Sequence, residues 1–355
     1  MSYSRSSILI NDRTVQVSDI ISQSAKVQSE FESNTFSFIR SWLNSEQHVT
    51  LKTSGSTGTP KEITLTRQQL LDSATRTINK LGLTDKNTAL VCLDTKYIAG
   101  KMMLVRALEA SMNIVATEPS SDPLKDLPMQ PDFGAFVPLQ LDGIFKNKTS
   151  LEKLNRFKSI IIGGAAVSPS LLEKIKTLSC DVYATYGMTE TVSHIALQKL
   201  NGTDAQTSFE VLPGITITTD ERDCLVITLP EFSEPVITND IVQLIDGRHF
   251  KILGRFDNVI NSGGIKLMPE SIEKKIEPLL AQPFFVAGVP DDRLGTRLVL
   301  IIEGTPPTDI AIKLKNTLPA YEVPKEILHT GQFIRTETHK INRAKSFEKA
   351  LKSKP

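Results

Sequence analysis

What this sequence has little of narrows it first. It contains three cysteines and one tryptophan, and its aromatic content is 6%. Charge of neither sign dominates: 41 Lys and Arg against 40 Asp and Glu leave a formal net charge of +1. That balance excludes a broad electrostatic attraction to nucleic acid or to an anionic membrane surface. No apolar run approaches the ~20 residues that would span a bilayer, so no membrane insertion is expected. The opening residues have no apolar segment behind them of the kind a secretory signal carries. Cys92, Cys180 and Cys224 are odd in number, far apart and without histidines at metal-ligand spacing, which speaks against a disulfide framework or a zinc site. Cys92 and Cys224 sit in apolar, strand-like runs and are expected in the core. A cytoplasmic protein in a reducing compartment is the economical expectation.

What is present is an ordinary globular mixture, 40% hydrophobic and 23% charged. At 355 residues it exceeds one hydrophobic core. Phe36, Ile39, Trp42 and Leu43 have helical spacing. A short strand over 49–52 runs into a polar, Gly-rich loop. Thr66 and Gln69 then form a capping box, with Leu70, Ala74, Ile78 and Leu81 as the apolar stripe and Gly82 as a left-handed stop. Strands at 89–93, 114–117, 160–162 and 182–185 alternate with helices at 98–110 and after Ser168-Pro169. This is the pattern of an α/β domain with a mainly parallel sheet.

From about residue 212 the pattern changes to short strands at 215–219, 225–229, 242–245 and 249–253. Asp246-Gly247 reads as a two-residue hairpin turn. The expectation is a small antiparallel β subdomain over about 212–255. Further on, Pro269 opens a helix with Ile272, Ile276 and Leu279 on one face. Strands at 284–289 and 297–302, a helix over 309–318, a Pro-bearing turn, a final strand and a Lys-rich helix complete a small α+β domain. The predicted division is 1–255 for a large N-terminal domain and 256–355 for a mobile C-terminal one, with the boundary at Phe256-Asp257.

Five constellations carry chemistry. The first is the run Thr53, Ser54, Gly55, Ser56, Thr57, Gly58, Thr59, Pro60 and Lys61. Two glycines let backbone approach an anion, consecutive N–H groups and hydroxyls can surround phosphate oxygens, and Lys61 adds a cation. It departs from the usual P-loop, whose glycines are wider apart. The second is the segment Tyr186, Gly187, Met188, Thr189 and Glu190, after a strand, where α/β folds place ligand loops. Tyr186 can stack on a purine, Thr189 can donate to an α-phosphate, and Glu190 can hold Mg²⁺ through oxygen. The third is Gly163, Gly164 and Ala165, where a flat base could lie on backbone. The fourth pairs Asp240, suited to two ribose hydroxyls, with Arg255. The fifth is Lys340, one lysine in a Lys-rich tail, which gains weight only from its company. Taken singly, each admits a plain reading as a turn, a linker or surface.

In this order the segments resemble the adenylate-forming superfamily of acyl- and aryl-CoA synthetases, peptide-synthetase adenylation domains and luciferases. The similarity runs from Thr53 to the C-terminus and includes Ser262, Gly263 and Gly264, Pro269 and Glu273, and the Lys340-Ile-Asn-Arg343 run. The resemblance implies ATP, Mg²⁺ and coenzyme A as cofactors or co-substrates and a small carboxylic acid as the partner substrate. It implies phosphate binding by the 53–61 loop, and adenine framing by Gly163, Gly164, Ala165 and Tyr186. Thr189 and Glu190 would address the α-phosphate and Mg²⁺, and Asp240 and Arg255 the ribose. Asp257 looks like the hinge, and Lys340 like the lysine that bridges carboxylate and α-phosphate. Ser262, Gly263 and Gly264 resemble the loop lining the thiol tunnel. Three departures stand out: Asn239 and His339 occupy positions where glycine is common, and the phosphate loop begins at residue 53, whereas typical members carry a long segment before it.

Within the superfamily the run from Tyr186 to His194 looks closest to the o-succinylbenzoate–CoA ligase branch, which serves menaquinone synthesis. Ser193, His194 and Lys101 are then candidate acid-site residues. His194, Lys96, Lys101 and Arg106 are candidate partners for a carboxylate that does not react. Other aryl or acyl acids, a carrier-protein thiol in place of CoA, and a non-catalytic adenylate-binding sensor are the rival readings. A second copy of the chain, as a homodimer, is a candidate partner.

Overall fold

The computed structural model describes residues 5–52, 62–335 and 341–352. In chain order the elements are β1 (Ser7–Ile10), β2 (Arg13–Gln16), α1 (Val17–Ser22), α2 (Glu30–Leu43), β3 (His48–Lys52), β4 (Glu62–Thr66), α3 (Arg67–Leu81), β5 (Thr88–Val91), α4 (Ile98–Glu109) and β6 (Asn113–Ala116). Then come β7 (Phe133–Phe136), α5 (Pro138–Ile144), α6 (Lys148–Leu154), β8 (Ser159–Ile162), α7 (Pro169–Ile175), β9 (Asp181–Gly187), β10 (His194–Lys199), β11 (Phe209–Val211), β12 (Thr216–Thr219), β13 (Cys224–Thr228), β14 (Val236–Leu244) and β15 (His249–Arg255). The remainder are β16 (Ile260–Ser262), β17 (Ile265–Leu267), α8 (Pro269–Ile276), β18 (Phe284–Asp291), β19 (Gly295–Glu303), α9 (Ile310–Thr317), β20 (Glu326–Thr330) and α10 (Arg343–Lys352).

One sheet organises the first 255 residues. Its strand order is β12-β13-β14-β15-β11-β10-β9-β8-β7-β5-β6-β1-β2. The strands from β6 through β5, β7 and β8 to β9 pair in parallel. β5, β7 and β8 are enclosed on both faces, as their unbroken apolar sequences require. Phe36, Ile39, Leu70 and Met103, from α2, α3 and α4, pack on one face. Leu141, Leu154 and Leu171, from α5, α6 and α7, pack on the other. At β9 the sense of pairing changes, and β10, β11 and β15 through β12 run antiparallel. The antiparallel part is therefore joined edge-on to the parallel part through β10 and β11.

The N-terminal strands were not foreseen. β1 pairs in parallel with β6, Leu9 opposite Val115, and β2 closes the edge. The capping box at Thr66 and Gln69 is present, and Gly82 stops α3 at φ 58°. The Asp246-Gly247 hairpin is a correction. The Ile245 N–H bonds to the His249 carbonyl at 2.8 Å, leaving three residues in the turn. The Asp246 carboxylate accepts from the N–H groups of Arg248 (2.7 Å) and His249 (2.8 Å), so its side chain supplies the closure that the shorter turn would take from backbone. Thr238, Asn239 and Asp240 belong to a long strand, β14.

After β15 the chain makes one short 3₁₀ turn, Phe256–Asn258, and enters separate packing. Two clusters drawn from residues beyond 259 fill this part, around Leu300 and Ile302 on one side of the three-stranded β18-β19-β20 sheet and Phe285 and Ile301 on the other. No helix among the described residues is long and apolar enough to cross a membrane.

Candidate active site

The change from parallel to antiparallel pairing brings the conspicuous residues together. β8 and β9 are adjacent and parallel, so the loops after Ile162 and Gly187 leave the sheet side by side. Gly163 lies opposite Thr185: a Cβ there would come within 2.6 Å of the Thr185 hydroxyl oxygen. Gly164 and Ala165 are exposed beyond it. Gly187 is demanded by close approach, since a Cβ would meet the Ser193 carbonyl oxygen at 2.3 Å.

Tyr186 and Asp240 meet across the antiparallel part. The Tyr186 hydroxyl donates to Asp240 Oδ2 at 2.6 Å. Its ring is 8% exposed, packed edge-on to Phe250 at 5.2 Å and beside Phe209 at 6.0 Å. Tyr186 thus enters the site through its hydroxyl, with little open ring face for a base to stack upon. Burial first, then the Asp240 charge, pushes that hydroxyl far above its usual range, so it remains a donor. Arg255 bridges two carboxylates. Its Nη1 lies 3.4 Å from Asp240 Oδ1 and its Nη2 3.0 Å from Asp257 Oδ2. Asn239 adds a second donor to Asp257 at 3.2 Å, and Arg222 holds the Asn239 amide oxygen at 2.9 Å. The ribose candidates and the hinge candidate therefore form one network.

Thr189 and Glu190 sit in a 3₁₀ turn, Thr189–Thr191. The buried Thr191 hydroxyl closes this turn: it accepts from Met188 N (3.0 Å) and lies 2.8 Å from the Ser193 carbonyl oxygen. Val192 follows at φ 67°, ψ −55°, with Ser193 N–H on the Thr191 carbonyl at 2.7 Å. This is a γ-turn at a β-branched residue, a strained geometry that functional loops often hold. Glu190 is exposed and has no hydrogen bond or ion pair among the described residues. An exposed carboxylate here fits Mg²⁺, which takes one or two carboxylates and completes its shell with phosphate oxygens and water.

The acid-site candidates divide. Ser193 Oγ accepts from Arg106 Nη2 at 2.6 Å, and His194 Nε2 lies 2.9 Å from the Thr77 hydroxyl. Arg106 is 2% exposed, its Nε has no partner, its Nη1 reaches only the Met103 sulfur at 3.8 Å, and no carboxylate meets it among the described residues. Burial pulls its guanidinium down to about 9. Lys101 is a correction. Its Nζ donates to the Thr95 carbonyl (2.6 Å) and lies 5.3 Å from the Phe38 ring centroid, so it closes the loop before α4 and makes no contact with Ser193 or His194. Lys96 is exposed and faces Tyr97. From α4, Arg106 is the cation that reaches the Ser193 loop.

Ser262 ends β16 opposite Ile265, and Gly263 and Gly264 form the β16–β17 hairpin turn, both at positive φ (59° and 84°). Gly263 N–H bonds to the Leu294 carbonyl at 2.9 Å, which holds the turn to the β18–β19 hairpin rather than to the Tyr186–Asp240 cluster. Glu273 and Arg343, noted as separate blocks, are one bidentate pair at 2.9 and 2.7 Å, which fixes the chain just after Lys340 onto α8. Lys340 itself and the 53–61 run, from Thr53 to Lys61, lie outside the described residues. The sequence reading overlooked Thr77, whose signal was a hydroxyl on the buried stripe of α3 between Ala74 and Leu81. It also overlooked Arg222, which nothing in the sequence singles out.

The AMP-binding enzyme family matches residues 10–218. A solved acyl-CoA synthetase (AMP-forming)/AMP-acid ligase II-like protein from Dyadobacter fermentans is 39% identical, with 93% of this chain and 97% of that one covered and a TM-score of 0.64. The 2-succinylbenzoate–CoA ligase of Escherichia coli is 26% identical over 82% of this chain, and the probable one of Mycobacterium tuberculosis 26% over 85%. This chain spans 66% of the length of the Escherichia coli relative and 84% of the Mycobacterium tuberculosis one. The Bacillus subtilis o-succinylbenzoate coenzyme A synthetase, solved with ATP and magnesium ion, shares the fold at 21% identity with a TM-score of 0.72, over 84% of this chain and 69% of that one. The match to more than half of the chain, together with a relative 39% identical across nearly all of both chains, shows that this chain belongs to the family of AMP-binding enzymes.

Proposed function

We propose that this chain is an ATP-dependent acid–CoA ligase that activates a carboxylate as its acyl-adenylate, and that its acid carries a second carboxylate, as 2-succinylbenzoate does. The observation that carries the substrate reading is Arg106. A guanidinium buried with no counter-charge among the described residues is costly to keep, and a substrate carboxylate is the partner that would repay it. Ser193, half-buried between Arg106 and the outer side of the loop, is the route by which such a group would reach it. The names of the curated relatives point the same way.

In the first stage a carboxylate oxygen attacks the α-phosphorus of ATP and pyrophosphate leaves. In the second a thiol attacks the acyl carbon and AMP leaves. Asp240, oriented by Tyr186 and Arg255, would take the ribose hydroxyls. Thr189 would donate to the α-phosphate, and Lys340 would balance charge where two anions meet. Mg²⁺, held through Glu190, would neutralise phosphate charge when bound. Lys340 must leave before the thiol can enter, so a pivot at Asp257, between the 1–255 and 256–355 domains, suits the two-stage chemistry.

The test is incubation with ATP, Mg²⁺, CoA and 2-succinylbenzoate, with pyrophosphate release followed and the product mass determined. The analogue lacking the ring carboxylate is run in parallel. A thioester formed equally well from both acids would remove the dicarboxylate reading. Absence of pyrophosphate release across a panel of aryl and acyl acids would remove the ligase reading and leave an adenylate-binding sensor.

A further inference from the structure

We propose that Thr77 and His194 are positioning residues for Arg106, acting through Ser193 to fix its guanidinium for the second carboxylate of the acid. This rests on the substrate reading above. The chain of contacts is directional. The Thr77 hydroxyl donates to the Ser73 carbonyl of its own helix at 3.3 Å, which uses its single proton. In the proposed sense its oxygen then accepts from His194, whose Nε2 lies 2.9 Å away, and the opposite sense is the one in which Thr77 donates to Nε2. With the proton on Nε2, Nδ1 is an acceptor, and the Ser193 hydroxyl at 3.4 Å is the donor it faces. Ser193 Oγ is left to accept from Arg106 Nη2 at 2.6 Å. One backbone carbonyl on α3 therefore sets the sense of every bond out to α4.

Electrostatics keeps the chain in this sense. His194 is enclosed, and burial, then the Arg106 charge, holds its imidazole well below its usual range. A neutral ring beside Arg106 leaves the guanidinium as the one positive charge in this polar chain. With Nη2 anchored by Ser193, the unpartnered Nε–H and the remaining N–H groups keep a fixed plane, which is what bidentate carboxylate recognition requires. The chain runs through three elements, α3, the start of β10 and α4, each packed in the same core, so its geometry is set before substrate arrives.

The first measurement needs no variant. Nitrogen-15 NMR of the histidine rings in the intact protein should show His194 protonated at Nε2 alone. Protonation at Nδ1 alone would overturn the proposal. The second compares Thr77→Val with Thr77→Ser. Valine removes the acceptor, so the ring should move its proton to Nδ1 and compete with Arg106 for the Ser193 oxygen. KM for 2-succinylbenzoate should rise about three- to ten-fold, the worth of one oriented hydrogen bond. kcat, KM for ATP and KM for the analogue lacking the ring carboxylate should stay near wild type. Serine should restore the wild-type tautomer and KM. An equal rise in KM for both acids would reduce Thr77 to a packing residue. If the wild-type enzyme prefers the dicarboxylate and Thr77→Val leaves that preference intact, the positioning role alone fails. If the wild-type enzyme has no such preference, the substrate reading fails and the role falls with it.

Discussion

Arg106→Met separates stability from recognition in one residue. The side chain is 2% exposed, it makes one short bond to an oxygen, and its Nε has none. A fall from an ordinary value above 12 to about 9 corresponds to roughly 4–5 kcal/mol of lost charge solvation, as an order of magnitude. Methionine loses the bond to Ser193, worth about 1–2 kcal/mol. It keeps much of the packing volume and needs no counter-ion. The net expectation is a protein more stable by about 1–4 kcal/mol at pH 7, the range seen when buried charges yield to apolar side chains.

The pH dependence has a definite sign. Burial pulls the native Arg106 guanidinium down to about 9 while the unfolded chain keeps the higher ordinary value, so the burial penalty on the native state eases as pH rises past that value. The advantage of the methionine variant should therefore shrink from pH 8 to pH 10. Urea unfolding across that range gives the stability, and KM for 2-succinylbenzoate against its analogue gives the recognition, which the variant should lose. A variant less stable than wild type by 2 kcal/mol or more would mean that the charge is already compensated inside the protein, and the case for a substrate carboxylate would fail.

Lys340→Ala should abolish pyrophosphate release from acid and ATP yet spare thioester formation from supplied acyl-adenylate; equal loss of both halves would refute its assigned role. Tyr186→Phe removes a 2.6 Å bond to the Asp240 carboxylate and should raise KM for ATP about ten-fold, the worth of a hydrogen bond to a charged group, while an unchanged KM would detach this pair from the nucleotide. Glu32 lies enclosed, accepting from Arg13 at 2.6 Å, Gln28 N–H at 2.7 Å and Asn11 at 3.1 Å. Burial alone would raise its carboxyl, but these donors outweigh it and hold the group below its ordinary 4.5. Its stabilisation is therefore complete above pH 4.5 and lost as pH falls through the lower native value. Glu32→Gln should cost about 1–3 kcal/mol at pH 7, with Arg13 partly exposed and discounted accordingly, and the gap from wild type should close on acidification.

The large α/β part was legible because its rules are local. Thr66 with Gln69, Gly82, and Ser168 before Pro169 each fix a helix end by chemistry within four residues. The strands of the parallel region announce themselves as short apolar runs because both faces are covered. The β1–β2 hairpin was missed because four apolar or polar residues carry little periodicity, and its partner β6 lies about a hundred residues away. In the site, motif spacing singled out Tyr186 and Asp240 separately, but their hydrogen bond depends on how β9 and β14 meet across the sheet. Lys101 misled for the opposite reason. A lysine's reach is long, and two nearby backbone carbonyls claimed it. That no carboxylate among the described residues meets Arg106 is invisible in any sequence, since it is a property of everything that surrounds the side chain.

The parallel pairing of β1 with β6 bears on how the chain is made. β1 leaves the ribosome about a hundred residues before the strand it must lie against. Ile8 and Ile10, at most 2% exposed once docked, have no seat until then. A nascent chain stalled short of residue 116 would carry an adhesive strand with a free edge, a natural target for holding chaperones. Closure of this flank of the sheet therefore waits until β6 has been made, about a hundred residues after β1.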